Sequence, residues 1–373
     1  MSSSSSNSSP TALIESHFRQ IPDPRATHSI RHLFIDIIVI TLCATICGAN
    51  DWHAVAEYGR TKQYWLQTFL SLPNGIPSHD TFSRLFARLN PEQLQSSFIE
   101  WMQAVHQVSD GELLNIDGKT LRAACEPGNS RSFIHMVSLW SATNRLVLAQ
   151  QKVDEKSNEI TAIPKLLKLL SIKGCLVSID AMGTQTEIAQ RIIEQGADYA
   201  LALKRNQGNI YEDVKQLFEL ASKKQYQDLP QECHRTIEKR HGGIEVRRYR
   251  VMGNTEYLLG AENRVKGKTI SMEQRYYLLS FECDVEGFAN AVRNHWSIEN
   301  QLHWILDVSF DEDSRRGCDG YSAENLAVIR HMGVNLLSQE KTVKIGIKNK
   351  RLKAGWDNRY LEKVLGCLNV LGS

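Results

Sequence analysis

Six residues have side chains whose type and spacing suit metal or phosphate chemistry. His295, Glu299, His303 and Asp307 recur every four residues within "RNHWSIENQLHWILDVSFDED" (293–313). Asp117 and Asp180 each close a hydrophobic run, "ELLNIDG" and "GCLVSIDAMG". On a helix, residues four apart drift slowly around one face. Ile298, Leu302, Ile305 and Leu306 fall largely off that stripe and are expected to pack inward, together with Trp296 and Trp304. The stripe is compatible with a zinc site, a magnesium-dependent active site or a solvated edge. His295 and His303 stand about 12 Å apart along a helix, too far to share one zinc ion. A zinc site would need the glutamate, one histidine and ligands from elsewhere. If Glu299 faces Asp117 and Asp180, the ligands are all oxygen and select Mg2+ or Mn2+. Three clustered carboxylates repel and stay ionised near neutrality only beside a cation. Two such ions suit phosphodiester chemistry, one activating the attacking oxygen and the other stabilising the leaving oxygen. No P-loop, G-x-S-x-G or convincing GxGxxG supports another common enzyme class.

The elements that must position these residues form an α/β pattern. "ELLNIDG" reads as a strand ending at Asp117 and Gly118, followed by strands at "SFIHMVSLWSA" and "RLVLAQQKV". Helix "EITAIPKLLKLLSI", a strand ending at Asp180, helix "TQTEIAQRIIEQG", strand "DYALALK" and helix "QGNIYEDVKQLFELAS" come next. The order β-β-β-α-β-α-β-α demands parallel pairing in part of one sheet. Ligands of open α/β sheets collect beyond the carboxyl ends of the strands, where both aspartates fall. A polar, basic, strand-rich segment covers 234–280, and a long helix begins near Asp284. Upstream, Ser29 to about residue 107 is helical, with Ser78 or Asp80 as a cap and Pro91 in a first turn. Those helices could serve as a DNA-binding head or as a structural cap.

The whole chain is 373 residues long, 42% hydrophobic and 23% charged, an ordinary globular composition. A net charge of +2 leaves polyanion affinity to local clusters such as "HRTIEKRHGGIEVRRYR" (234–250) and "KTVKIGIKNKRLK" (341–353). The eight cysteines form no CxxC or regular framework, which suits buried free thiols and a reducing cytoplasm. "LFIDIIVITLCATIC" (33–47), interrupted by Asp36 and followed by Gly48, is too short to span a bilayer and reads as a buried helix. "MSSSSSNSSP" has neither a basic nor an apolar signal region and reads as a disordered tail.

The ordered set "NIDGKTLR", "VDEKSNEITAIPKLL", "VSIDAMGTQ", "YALALK" and "RNHWSIENQLHWILDVSFDED", with "LPNGIPSHDTFSRLFARL" before and "GIKNKRLKAGWDNRYL" after, resembles the H-repeat-associated (ISAs-type) group of insertion-sequence DDE transposases. The resemblance covers nearly everything after the serine tail. It implies an RNase H-like mixed sheet flanked by helices, with a β-rich insertion and a separate all-α N-terminal domain. The corresponding division is a tail at 1–26, a helical domain at 27–107, a catalytic domain at 108–340 with its insertion at about 230–282, and a basic segment at 341–373. It implies Asp117, Asp180 and Glu299 as catalytic acids and ligands of two Mg2+ or Mn2+ ions, Asp117 bridging both. The implied reaction has two steps: water hydrolyses a strand at the element's end, and the freed 3′-hydroxyl attacks target DNA. The implied partners are transposon ends and target DNA, with a homodimer in the synaptic complex. No membrane or small-molecule substrate is implied. The implied location is the bacterial cytoplasm, at the nucleoid. The alternatives are a decayed or domesticated transposase that only binds DNA, and an RNase H-like nuclease without strand transfer.

Several departures and flanking residues complete the reading. The broader superfamily carries a Tyr-Arg-Glu-Lys signature, where this chain has Val292, His295, Glu299 and Leu306; the narrower group shares the His-Trp-x-x-Glu-Asn form. Arg205 stands where relatives often have glycine. "EYLLGAENRVKGKT" (256–269) looks short by one strand, a join that would mark an impaired copy. Lys119, Arg122, Lys204, Arg205 and Asn206 are expected to meet DNA near the acids, and His241, Arg247, Arg248 and Arg250 to meet it in the insertion. His295, Asn300 and His303 are expected to orient the Glu299 carboxylate. Asp307, Asp311, Glu312 and Asp313 read as a solvated helix end.

Overall fold

The computed structural model describes residues 9–126, 129–154, 158–223, 231–240, 243–252, 258–266, 269–281, 285–314 and 319–368. Five helices open the chain: α1 (Ala12–Phe18), α2 (Phe34–Ile46), α3 (Trp52–Leu66), α4 (His79–Arg88) and α5 (Pro91–Val105). Three strands follow, β1 (Leu113–Glu126), β2 (Asn129–Ser141) and β3 (Leu146–Lys152). Then come α6 (Glu159–Leu167), β4 (Leu176–Ile179), α7 (Thr186–Glu194), β5 (Asp198–Leu203) and α8 (Asn209–Lys223). The β-β-β-α-β-α-β-α order is therefore present.

One mixed sheet runs β3-β2-β1-β4-β5-β9-β8-β7-β6. Its last four strands in sequence are β6 (Gln231–Arg240), β7 (Gly243–Met252), β8 (Leu258–Lys266) and β9 (Thr269–Leu279). β1–β4 and β4–β5 are parallel, as crossover helices require, and the other pairs are antiparallel. The "AENRV" join lies inside β8, whose ladder with β9 is unbroken from Leu258↔Tyr277 to Lys266↔Thr269.

β1 does not stop at the Asp117-Gly118 turn signal. Its pairing with β2 continues through Gly118↔Val137 and Lys119↔Met136. Gly118 serves close packing instead: a Cβ there would clash with Glu159 Oε1 and lie 2.9 Å from His135 Nε2.

The long helix expected from Asp284 is divided into α9 (Val285–His295), a π-helical turn (Ile298–His303) and α10 (Trp304–Phe310). After it come α11 (Ser322–Gln339), α12 (Ile347–Trp356) and α13 (Asn358–Gly366). α2, almost wholly apolar, and α11, buried nearly all round but carrying polar residues such as Asn325, Arg330, His331 and Asn335, form the centre of the helical layer. The main core cluster runs from Ile14 through the sheet to Leu368, so the N-terminal helices share it with α11–α13. Part of the C-terminal basic run is consumed there. Arg351 donates to the carbonyls of Thr45 (2.7 Å) and Ile46 (3.2 Å), closing the end of α2, and Lys350 donates to Leu337 O at 2.9 Å. Cys43 is buried inside α2 and is a free thiol. Among the described residues, no helix is long and apolar enough to cross a membrane.

Candidate active site

The α9–α10 region is fastened to the sheet by a polar row. Asn115 and Ser178 are paired across β1 and β4, two residues before Asp117 and Asp180 on the same strand faces. Asn115, fully buried, donates to Asn294 O (2.6 Å), His295 O (3.3 Å) and Ser297 Oγ (3.1 Å). Ser178 Oγ meets His295 Nδ1 at 2.8 Å, and Trp140 Nε1 donates to Ser297 Oγ at 3.2 Å. These bonds satisfy the carbonyls at the end of α9 and dock the π turn beside the two aspartates. Asn115, Ser178, Ser297 and Trp140 escaped the sequence reading. A buried asparagine inside an apolar strand was the available signal.

Ile116 pairs with Ile179 in the parallel ladder, so the next rung sets Asp117 beside Asp180, on strands about 4.8 Å apart. Asp180 Oδ1 accepts from Met182 N–H (2.9 Å) and Gly183 N–H (3.4 Å). Asp117 Oδ1 accepts from Gly118 N–H at 2.9 Å. Burial, then the charge of Glu299, pushes the Asp117 carboxyl up to about 7, with Asp180 and Glu159 adding to the rise. Glu299 is exposed and belongs to the π turn, where Trp304 N–H donates to its carbonyl five residues back. Among the described residues, no group of three or more His, Cys, Asp and Glu stands in a metal-holding array. Asp117 thus shares an electrostatic field with Asp180 and Glu299 without a preformed ligand cage.

The four-apart stripe is broken by the π turn, and its members part. His295 is enclosed, and burial pushes it down to about 4. His303 approaches Asp117 instead of Glu299, with Nδ1 3.5 Å from Oδ2, and burial pushes it to about 4 as well. Asn300 Nδ2 donates to Trp296 O at 2.8 Å, an intrahelical bond, and so does not orient the glutamate. Ile298, Leu302 and Leu306 are buried as expected. Trp304 is not: it is 57% exposed, because the extra residue in the π turn rotates it off the core face. Trp296 is half-buried, with the Arg275 guanidinium 4.7 Å from its ring centre.

The acidic tail is a solvated edge only in part: Asp311 is exposed, but Glu312 is not. Glu312 is 3% exposed, and burial alone would raise its carboxyl, but Arg330 and Lys119 hold it below the usual range. Lys119, expected to meet phosphate, turns inward. Its ammonium bonds Asp307 and, at 2.7 Å, Glu312. Burial opposes its charge, and these carboxylates outweigh burial and raise its pKa. β1 sends Lys119 to the face covered by α10, so its reach is taken up by that helix.

Of the other DNA-contact candidates, Lys204, Arg205 and Asn206 are exposed on the turn after β5. Asn206 Nδ2 donates to Ala181 O at 3.0 Å, tying this turn to the Asp180 loop. In β7, Tyr249 and Val251 pack with Phe288 of α9, so Arg247 shares their face while Arg248 and Arg250 take the other. Arg235 lies directly across from Arg248, and both are exposed, a like-charge cross-strand pair that an anion would relieve. The Arg122 side chain and His241 lie outside the described residues.

Comparison with known proteins matches residues 109–336 to the family described as Transposase DDE domain and residues 15–102 to the one described as DDE_Tnp_1-associated. The chain is 39% identical over 369 residues to the putative transposase YncI of Escherichia coli O157:H7, covering 94% of each. It is 38% identical over 367 residues to the H repeat-associated putative transposase YhhI of Escherichia coli strain K12, covering 94% of this chain and 96% of that protein. A protein in the dhlA 3′ region of Xanthobacter autotrophicus is 45% identical over 245 residues, 65% of this chain and 81% of its own length.

Proposed function

The chain belongs to the transposase DDE domain family, and from that premise we propose that it cuts and joins the DNA ends of an insertion sequence with divalent cations held by Asp117, Asp180 and Glu299. The observation that carries this reading is the register of β1 and β4, which sets Asp117 beside Asp180, with Glu299 near enough for its charge to raise the Asp117 carboxyl. An excess of negative charge among oxygen donors alone is what a hard divalent cation offsets. The donor set therefore fits Mg2+ or Mn2+. Two such ions, when bound, supply charge to activate the attacking oxygen and stabilise the leaving oxygen.

The protein's own groups do the rest. The Met182 and Gly183 N–H groups hold the Asp180 carboxylate in one orientation. The Asn115–Ser178 row keeps the π turn against the sheet, so Glu299 stays on the side of the two aspartates. Lys204 and Arg205 stand on the turn tied to the Asp180 loop and are suited to backbone phosphates, which fix position without reading sequence. Arg248 and Arg235 offer a second phosphate site on the insertion. The antiparallel β3-β2-β1 set continued by parallel β4 and β5 supports an RNase H-like assignment of the catalytic core. A homodimer would bring two such sites to the two ends of the element.

The test uses the DNA that flanks the reading frame, including any inverted repeats. The full chain should nick that DNA with Mg2+ and join a pre-cleaved 3′-hydroxyl end to a target plasmid. Chelation should stop both steps. Salt-sensitive binding with no metal-dependent nicking would reduce the protein to a DNA-binding one. Nicking with no joining would make it a nuclease.

A further inference from the structure

Asp117 and Lys119 share one face of β1, and the helix above them delivers His303 and Asp307. His303 Nδ1 stands 3.5 Å from Asp117 Oδ2. The other ring nitrogen, Nε2, is buried without a hydrogen-bond partner among the described residues. His303 lines a cavity of about 10 Å3 together with Lys119, Ser138, Gln150, Glu312 and His331. Gln150 Oε1 and His331 Nδ1 are likewise buried and unpartnered among the described residues. Buried polar atoms are rarely left so, and three of them on residues lining one small space point to a common partner. A space of roughly 10–15 Å3 holds one water if two to four polar atoms surround it.

The charges around the ring select its tautomer. A neutral imidazole carries one proton. Once ionised, Asp117 places a carboxylate on the Nδ1 side, and the Lys119 ammonium, fixed by Glu312 and Asp307, lines the cavity side. Both charges favour the proton on Nδ1 and the lone pair on Nε2.

We propose that His303 is the positioning residue of the first acid: its Nδ1–H holds the Asp117 carboxylate, while one buried water locks the ring from behind. The water donates to His303 Nε2 and Gln150 Oε1 and accepts from His331 Nδ1–H. This also gives Lys119 a role its sequence context does not suggest, as the charge that orients the histidine. The effect on cation binding rests on the proposed role of Asp117; the hydrogen-bond arrangement does not.

Two measurements on the full chain test this. With 15N-labelled histidine, long-range 1H–15N spectra separate the Nδ1–H from the Nε2–H tautomer, and His303→Asn assigns the signal. The Nδ1–H form is expected; an Nε2–H ring overturns the proposal. Mn2+ is then titrated calorimetrically into folded wild type and variants. Asparagine places an N–H where Nδ1 stands, and glutamine places one where Nε2 stands. His303→Asn should keep Mn2+ affinity within about 3-fold, while His303→Gln and His303→Ala should weaken it about 10–100-fold, the usual cost of losing a ligand's support. Equal affinities in the Asn and Gln variants overturn the positioning role. An Nδ1–H ring in a wild type that neither takes up Mn2+ nor nicks DNA would uphold the hydrogen bond and sink the ligand assignment of Asp117. Mn2+ uptake with the opposite tautomer would sink only the present inference.

Discussion

Glu112 and Asp117 are two largely buried carboxyls five residues apart, one just before β1 and one inside it. Glu112 accepts from His106 (3.1 Å), Ser109 N–H (3.1 Å), Asn144 (2.9 Å) and Ser141. Burial would raise it, but these donors bring it down to about 2. Asp117 accepts from one backbone N–H and faces two other acids, so burial and Glu299 take it up to about 7. Similar desolvation gives opposite results because the partners differ. Glu112 is a place where the fold gains stability. Asp117 is a place where the fold accepts a poorly compensated charge, as sites prepared for a ligand do.

The largest effect that would break this contrast is on chemistry. Asp117→Asn, Asp180→Asn and Glu299→Gln should each abolish Mg2+-dependent nicking and leave DNA binding intact in gel-shift assays; nicking that survives all three removes the acids from the mechanism. Asp117→Asn should also stabilise the metal-free protein. A folded pKa raised to about 7 means that this group's contribution falls as pH climbs from about 4 to 7. The variant should therefore gain on the order of 2–4 kcal/mol at pH 8 and nothing at pH 4, read by urea unfolding.

Lys119→Ala should come next. Among the described residues it leaves Glu312 buried with Arg330, at 3.4 Å, as its remaining ion-pair partner, and should cost about 3–5 kcal/mol. A phosphate-binding lysine would instead weaken DNA binding and leave unfolding unchanged. Glu112→Gln should lose about 2–3 kcal/mol at pH 7 without losing nicking in the folded fraction. Its sign is opposite to that of Asp117. The folded pKa is depressed to about 2, so the stabilisation is present above the unfolded value near 4 and fades as pH falls toward 2. A wild-type-like acid unfolding curve for Glu112→Gln would erase the comparison. The smallest effect belongs to the insertion: Arg248→Ala should lower the salt slope of DNA binding by about 1 and leave stability within about 0.5 kcal/mol.

Much of this was readable in advance, for identifiable reasons. Apolar runs of strand length separated by helical periods require crossovers, and those set β1, β4 and β5 parallel with both aspartates at one edge. The largely apolar stretch that became α2, interrupted by Asp36, is too short to span a bilayer and fits a buried helix. Alternation along β7 put Arg248 and Arg250 on one face, though pairing with Arg235 depended on the hairpin register. Along 293–313 the reading failed at specific residues. Periodicity assumed an uninterrupted α-helix, and the π turn turned His303 toward Asp117 and Trp304 toward solvent. The "DG" pair suggested a turn, but the β2 ladder carried β1 through it, and Gly118 makes room for Glu159.

Residue order and chemistry by themselves determined which strands run parallel, which helix is buried and that Asp180 follows a strand end, because hydrophobic period and crossover handedness are local rules. Only the tertiary structure decided the partners: that Lys119 serves Glu312, that Asn115 and Ser178 moor the turn bearing Glu299, and that Glu112 is satisfied while Asp117 is not. A charge's energy depends on what lies within a few ångströms of it, and those neighbours come from segments up to 193 residues away along the chain.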